Sequence, residues 1–322
     1  MTPHIEIKCR ICLSPHPFLQ AYALKAPWIV DKNPTSEQES ALYFCTQCES
    51  KFFSAKFSET EILTMYKGYR DDLYLKRRHK WEPWYTKSVN AAIGHSEPTL
   101  LARKQHLKSL LEQEIDTSRI NPPIRVLDFG GDEGQFIPEL NSIEFRAVLE
   151  ISKVSPKQDI VSLANWDEAK DFNPDFIMIC HVLEHVDNPR ELIQRAAEIL
   201  PIGGLLYVEV PLDYPPSLNT SFSRMWYLGT LKFMRKIRPL WIASDFLGLA
   251  SKRFLKKQFP GTVVKQNEHI NFFTEKSVTS LCHEYGFAHV ASSEYLATVA
   301  VPILKTVALG TLFQKISTRD QE

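Results

Sequence analysis

The chain has 322 residues, 44% of them hydrophobic and 11% aromatic, which excludes a mainly disordered protein and points to one large domain with an appendage. Its 38 basic and 38 acidic side chains cancel, so no protein-wide field draws it to nucleic acid. The opening Met1 to Lys8 has no apolar core, and the longest apolar stretch, Ala297 to Phe313, is interrupted by Pro302 and Lys305. A cytoplasmic protein with reduced thiols is expected.

The first recognisable elements are two Cys-x-x-Cys pairs, Cys9/Cys12 and Cys45/Cys48, separated by 32 residues. One pair alone reads equally as a redox dithiol. Two pairs complete a tetrahedral, all-thiolate site without an open position, so a structural Zn²⁺ is expected on Cys9, Cys12, Cys45 and Cys48, in a module over residues 1–55. The gap must hold a loop or an extra strand. Cys180 and Cys282 stand in apolar surroundings and read as packing residues.

Residues 56–121 read as a helical linker or cap, opened by a capping-like pattern at Glu59 to Leu63 and rich in aromatic and cationic side chains. These read either as a solvated helix with an aromatic packing stripe or as a cover over a pocket. A short apolar run then ends at Asp128 and passes through Gly130-Gly131-Asp132-Glu133-Gly134 toward a predicted helix, the way an open α/β sheet builds a nucleoside-binding edge. Missing side chains at the glycines let a ligand approach the backbone, and aspartate tolerates the unusual angles such a turn demands. The second strand, Phe145 to Leu149, delivers Glu150, a carboxylate able to accept both hydroxyls of a ribose. Residues 151–160 are too short and Pro-interrupted for a helix.

Phe176 to Cys180 reads as a strand leading into His181 and Leu183-Glu184-His185. The turn Pro201-Ile202-Gly203-Gly204 precedes another strand. An insertion over 214–264 follows. Between Arg224 and Lys257 it carries nine Lys/Arg against one acid, Asp245, interleaved with aromatic and aliphatic residues. A basic amphipathic helix pair of this kind suits an anionic membrane surface, a phosphorylated lipid-linked substrate, or a lid over a nucleotide-sugar, and equally a helical cap with a solvated cationic face. Asn267-Glu268-His269 stands just before a helix at about 275–285 and offers a base with a neighbouring carboxylate.

The segments at 125–136, 176–186 and 203–211 resemble the class I S-adenosylmethionine (SAM)-dependent methyltransferases, closely over 122–212. The resemblance implies an α/β fold: a Rossmann-like seven-stranded methyltransferase sheet within residues 122–315, with the small N-terminal zinc-binding module and the helical insertion attached. It implies SAM bound by Asp128, Gly130, Gly131, Gly134, Glu150, Ile151, His181 and His185. Asp132 stands where the family's middle glycine usually sits. Together with the four-cysteine module, the chain is similar to the sugar C-methyltransferase group. That group has a Glu-His pair in the segment of Glu268-His269, preceded two residues earlier by a tyrosine where this chain has Gln266. The similarity implies His269 as general base, Glu268 as its orienting carboxylate, and Tyr69, Arg70, Tyr74 and Arg78 as pocket candidates. It further implies O- or C-methylation of a small-molecule or lipid-linked sugar in polysaccharide biosynthesis, beside the inner membrane surface. The alternatives are an RNA methyltransferase, disfavoured by the missing Asn/Asp-Pro-Pro-Tyr mark after the fourth strand, and a catalytically silent zinc-stapled binding or scaffold protein.

Overall fold

Two apolar runs, Phe176–Cys180 and Leu205–Pro211, are buried along their whole length, as strands covered on both faces must be. In the computed structural model of the protein, the described residues are 7–30, 38–66, 68, 71–93, 96–114, 123–150, 154–212, 221–255, 259, 261–297 and 307–317. Ile151, Tyr69 and Arg70 lie outside them. In chain order the elements are β1 (Phe18–Lys25), α1 (Pro27–Val30), β2 (Glu39–Phe44), β3 (Lys51–Phe53), α2 (Glu59–Tyr66), α3 (Asp72–Trp81), α4 (Lys87–Ala92) and α5 (Glu97–Glu114). There follow β4 (Ile124–Phe129), β5 (Ile143–Leu149), β6 (Val161–Leu163), α6 (Trp166–Phe172), β7 (Phe176–Cys180), α7 (Pro189–Ile199) and β8 (Leu205–Pro211). The chain continues through α8 (Ser221–Lys236), α9 (Arg238–Leu255), β9 (Lys265–Gln266), β10 (Asn271–Phe272), α10 (Glu275–Glu284), β11 (Phe287–Leu296) and β12 (Val307–Lys315).

The seven-stranded sheet has the order β11-β12-β8-β7-β4-β5-β6. β8, β7, β4, β5 and β6 run parallel, and β12 is antiparallel to both β8 and β11. This is the Rossmann-like methyltransferase sheet that the sequence implies. Strand order reverses between β4 and β7, and the crevice beyond their carboxyl ends is where such sheets bind ligands. Local signals hold the flanking helices. Asn188 caps α7 ahead of Pro189, and Leu192, Ile193 and Ala196 form the buried face of that helix. Thr274 and Ser277 close a reciprocal capping box on α10.

A second sheet, in the order β10-β3-β2-β1-β9, draws three strands from the N-terminus and two from beyond residue 264. The loop carrying Asn267 to Ile270 is therefore anchored at both ends in this sheet, through Lys265 and Gln266 against β1 and Asn271 and Phe272 against β3. Helices α2 to α5 fall within residues 56–121, and α8 and α9 within residues 214–264. The helix expected after Gly134 does not form. The segment is a series of turns, closed by Gly134 N–H to the Gly131 carbonyl (2.8 Å) and Ile137 N–H to the Gly134 carbonyl (3.3 Å). Gly134 has positive φ, and Pro138, with no N–H to give, follows before β5 begins at Ile143, so the connection is too short and broken for a helix.

β1 is bound to α2 by a buried ion pair, Lys25 Nζ to Glu61 Oε2 at 2.9 Å, and Glu61 also accepts the Ser58 N–H that caps α2. Removing one member of a buried pair strands the other charge, whereas neutralising both does not. Lys25→Met is thus expected to cost about 3–5 kcal/mol in denaturant unfolding. The double variant Lys25→Met/Glu61→Gln should recover a substantial part of that loss, and strictly additive losses would contradict the coupling.

Candidate functional site

The turn after β4 shows why its residues are small or conformationally tolerant. Gly130, Asp132 and Gly134 have φ of 68°, 55° and 74°, the left-handed region that costs a side-chain-bearing residue most. Asp132 takes that conformation with its N–H donated to Glu150 Oε2 at 3.1 Å, so the substituted turn closes onto the end of β5. A Cβ on Gly131 would fall 2.3 Å from the Asp128 carboxyl, and one on Gly130 would fall 2.7 Å from Val182. Asp128, Gly130, Gly131, Gly134 and Glu150 are thereby gathered at the carboxyl ends of β4 and β5.

Asp128 is fully buried, and neither carboxyl oxygen has a hydrogen-bond partner among the described residues. Burial pushes its pKa up to about 7; Arg103 pulls the other way, and the neighbouring Glu209, Glu150 and Asp132 add to the rise. An orphaned acid beside a side-chain-free turn fits a ligand that brings its own cationic donor, and the methionine ammonium of SAM is such a group.

β7 and β8 supply the next layer. His181 follows β7 with a φ of 56°, strained for a β-carbon-bearing residue. Its Nδ1 lies 3.1 Å from Glu184 Oε1 and its Nε2 3.0 Å from Glu209 Oε1. Burial opposes its charge, yet these two hydrogen bonds prevail and push its pKa up to about 9, so both ring nitrogens carry protons at neutral pH. Glu184 is buried too. Burial alone would raise its pKa, but His181, His185 and His269 hold it down to about 2. Glu209, the lone acid inside β8, pairs with Arg103 of α5 and accepts from the hydroxyls of Tyr207 (3.0 Å) and Tyr295.

Opposite stands the loop between β9 and β10. His185 Nδ1 lies 3.2 Å from the Glu268 carbonyl, which can only accept, so Nδ1 holds the proton and Nε2 faces Glu184 Oε1 at 3.8 Å. Tyr66 of α2 reaches the same Nδ1 at 3.2 Å. The rings of His185 and His269 meet edge to face, 4.8 Å between centroids, and ligand atoms of Glu184, His185 and His269 all lie within 4.8 Å of one another. Two imidazoles and a carboxylate so placed can relay a proton or hold a cation. The Glu268 carboxylate accepts from Tyr74 Oη (2.6 Å) and Arg78 Nη1 (3.2 Å) of α3, and these partners, with His185 and His269, keep it ionised against its burial. A phenol therefore does reach Glu268, from α3, while Gln266 donates to the Ala55 carbonyl at 2.9 Å inside the second sheet.

The four N-terminal cysteines form a separate centre. Cys9 and Cys48 sulfurs are 3.6 Å apart, Cys12 and Cys45 sulfurs 3.5 Å, and all four lie within 4.8 Å. Tetrahedral zinc–thiolate bonds of about 2.3 Å require sulfur separations of about 3.8 Å. The two knuckles share one geometry. Leu13 N–H bonds the Cys9 carbonyl and Glu49 N–H the Cys45 carbonyl, each at positive φ. A hydrogen bond from Cys48 holds the Cys9 thiol down to about 4 and raises Cys48 in turn, so the cluster already favours a thiolate. Thr274, which caps α10, donates its hydroxyl to the Cys48 carbonyl (3.3 Å), so the cluster sits against the start of that helix.

Arg103, Glu184 and Glu209 are site residues that the sequence does not single out. Glu209 carries a signal, a single acid in an otherwise apolar strand. Arg103 carries none, because only tertiary packing brings α5 to β8.

Residues 102–292 match the family described as a methyltransferase domain. No curated protein matches the sequence. Among solved structures, the chain is similar to the 1,6-didemethyltoxoflavin-N1-methyltransferase of Burkholderia thailandensis, bound to 1,6-didemethyltoxoflavin and S-adenosylhomocysteine. The identity is 14%, with 86% of this chain and 96% of that chain covered and a TM-score of 0.41. It is also similar to the N-methyltransferase NodS of Bradyrhizobium japonicum WM9 in complex with S-adenosylhomocysteine (14% identity, 74% and 100% covered, TM-score 0.39). A third is the [4+2]-cyclase SpnF (10% identity, 66% and 81% covered, TM-score 0.40).

The folded pKa of Asp128, about 7, stands above its ordinary value of 3.8, so the folded state keeps the proton through that window. The stability this confers is lost as pH rises from about 4 through about 7. Ligand-free Asp128→Asn is expected to be more stable than the parent at pH 8 by roughly 1–4 kcal/mol, with the gap narrowing at pH 5. Melting curves at both pH values check this, and a pH-independent difference would contradict it.

Proposed function

The chain belongs to this methyltransferase family and is a SAM-dependent methyltransferase, and from that premise we propose that it methylates a sugar or glycan precursor. The observation that carries the reading is the facing pair His185 and His269, backed by Glu184, across from the Asp128 turn. Such a pair suits an acceptor that must lose a proton as it gains a methyl group, either a sugar hydroxyl or a carbon beside a ketone.

SAM would be held by Asp128, Gly130, Gly131, Gly134 and Glu150, and supplies a methyl group on a sulfonium. His269 is the candidate general base. Its imidazole takes the acceptor proton, and Glu184 stabilises the resulting imidazolium. Glu268, already committed to Tyr74 and Arg78, fixes the position of the loop rather than exchanging a proton. His181 and Glu209 brace the end of β7, which keeps the acceptor close and aligned for in-line transfer. Cys9, Cys12, Cys45 and Cys48 would hold a structural Zn²⁺, which would supply a cross-link between the two knuckles beside the α10 cap.

His269→Ala is expected to lower kcat by about 10²-fold or more while leaving the SAM dissociation constant unchanged by calorimetry. Intact turnover in that variant would remove the base role. The acceptor reading is tested by S-adenosylhomocysteine release with a panel of nucleotide-sugars against a panel of RNAs; turnover on RNA alone would overturn it. For the cysteine cluster, elemental analysis should find zinc in the purified chain, and Cys45→Ser should lose the metal and melt at lower temperature.

A further inference from the structure

Helix α9 is built inside out. Its inward positions are Trp241, Ser244, Asp245, Gly248 and Ser251, and their polar groups are used: Ser244 Oγ accepts the Val263 N–H (3.1 Å), Ser251 Oγ accepts the Phe259 N–H (3.0 Å), and Asp245 accepts from Lys265 (2.6 Å) and Trp84 (3.3 Å). The opposite stripe, Leu240, Ala243, Phe246, Leu247, Ala250 and Phe254, follows helical spacing and carries no polar group. Phe246, Leu247 and Phe254 are 55%, 60% and 82% exposed.

Helix α8 keeps an apolar inner face but also exposes apolar side chains. Tyr227, Leu231 and Met234 face the interior, while Trp226 and Phe233, 65% and 57% exposed, form a second apolar stripe about a quarter-turn away. Monomeric soluble surfaces rarely present this much contiguous helix face to water. Around it stand Lys236 and Arg238, both exposed, and Lys232, whose ammonium pairs with Glu39 of β2; the sole acid of the two helices themselves is the inward Asp245.

We propose that the outer faces of α8 and α9 dock on an anionic lipid bilayer. Aromatic and aliphatic side chains enter the headgroup boundary, and the flanking lysines and arginines meet the lipid phosphates. Charge selects this occupant over a second copy of the chain, because self-pairing through these faces would set Lys236 and Arg238 against their own copies. The docking face is also tied to the acceptor side. Asp245 on the inner face of α9 holds Lys265, and Lys265 begins the strand that leads into Glu268 and His269. The surface proposal stands on the two helices alone and is independent of the acceptor.

Vesicle co-sedimentation of the full chain tests it, with vesicles of phosphatidylcholine alone and of phosphatidylcholine mixed with phosphatidylglycerol. Binding to the anionic vesicles is expected, weakening as salt is raised. Phe246→Ser/Leu247→Ser, both exposed, should weaken binding by about 10-fold or more with an unchanged melting temperature. The salt and lipid series on the unaltered chain decides the question should that variant fail to fold. No binding to either vesicle, or equal binding to both, would overturn the proposal. Self-association abolished by the same variant, without vesicle binding, would overturn it in favour of a second copy.

Discussion

A chain of alternating buried charges holds this molecule together. It runs from Arg103 on α5 to Glu209 in β8, to His181, and to Glu184 beyond β7. A hydrogen bond between His185 Nδ1 and the Glu268 backbone carbonyl joins it to a second run, in which the Glu268 carboxylate pairs with Arg78, then Glu82, Lys265 and Asp245. Each ion would be costly to bury alone, and each is held by neighbours of opposite sign. The two sheets share no continuous strand ladder, so this path, together with the cysteine cluster on α10, sets how the second sheet sits over the ligand edge. Loss of one charge leaves two others uncompensated, and their cost is felt on both sides of the site.

The parts of the architecture set by local rules were legible in the sequence. Two Cys-x-x-Cys pairs come together because each knuckle is a self-contained turn, and Leu13 and Glu49 show the same turn twice. β7 announces itself as an unbroken apolar run and β8 as one broken by Glu209 alone, and the caps at Asn188 and Thr274 are written in place. The glycine turn was legible to the point of Asp132, which takes the left-handed backbone required of it.

What the sequence did not show depended on contacts between distant segments. The helix expected after Gly134 gives way to turns in a short, Pro-bearing connection. The phenol that reaches Glu268 comes from Tyr74, nearly two hundred residues earlier in the chain. No spacing rule links these positions, nor Arg103 to Glu209. The Glu268 carboxylate is occupied by Tyr74 and Arg78 of α3, and the carboxylate beside both histidines is Glu184.

The second sheet has a consequence for synthesis on the ribosome. β1 emerges early, yet its outer edge is covered by β9, and β3 waits for β10, whose last residue is Phe272. At ordinary elongation rates this delay is roughly 10–50 s. For that time two strand edges stand unpaired on the nascent chain, each a template for the wrong partner. Holding the four cysteines together early, before the rest of the chain arrives, would shorten the list of wrong partners available. The sheet is complete only once Phe272 has been made, well over two hundred residues after β1.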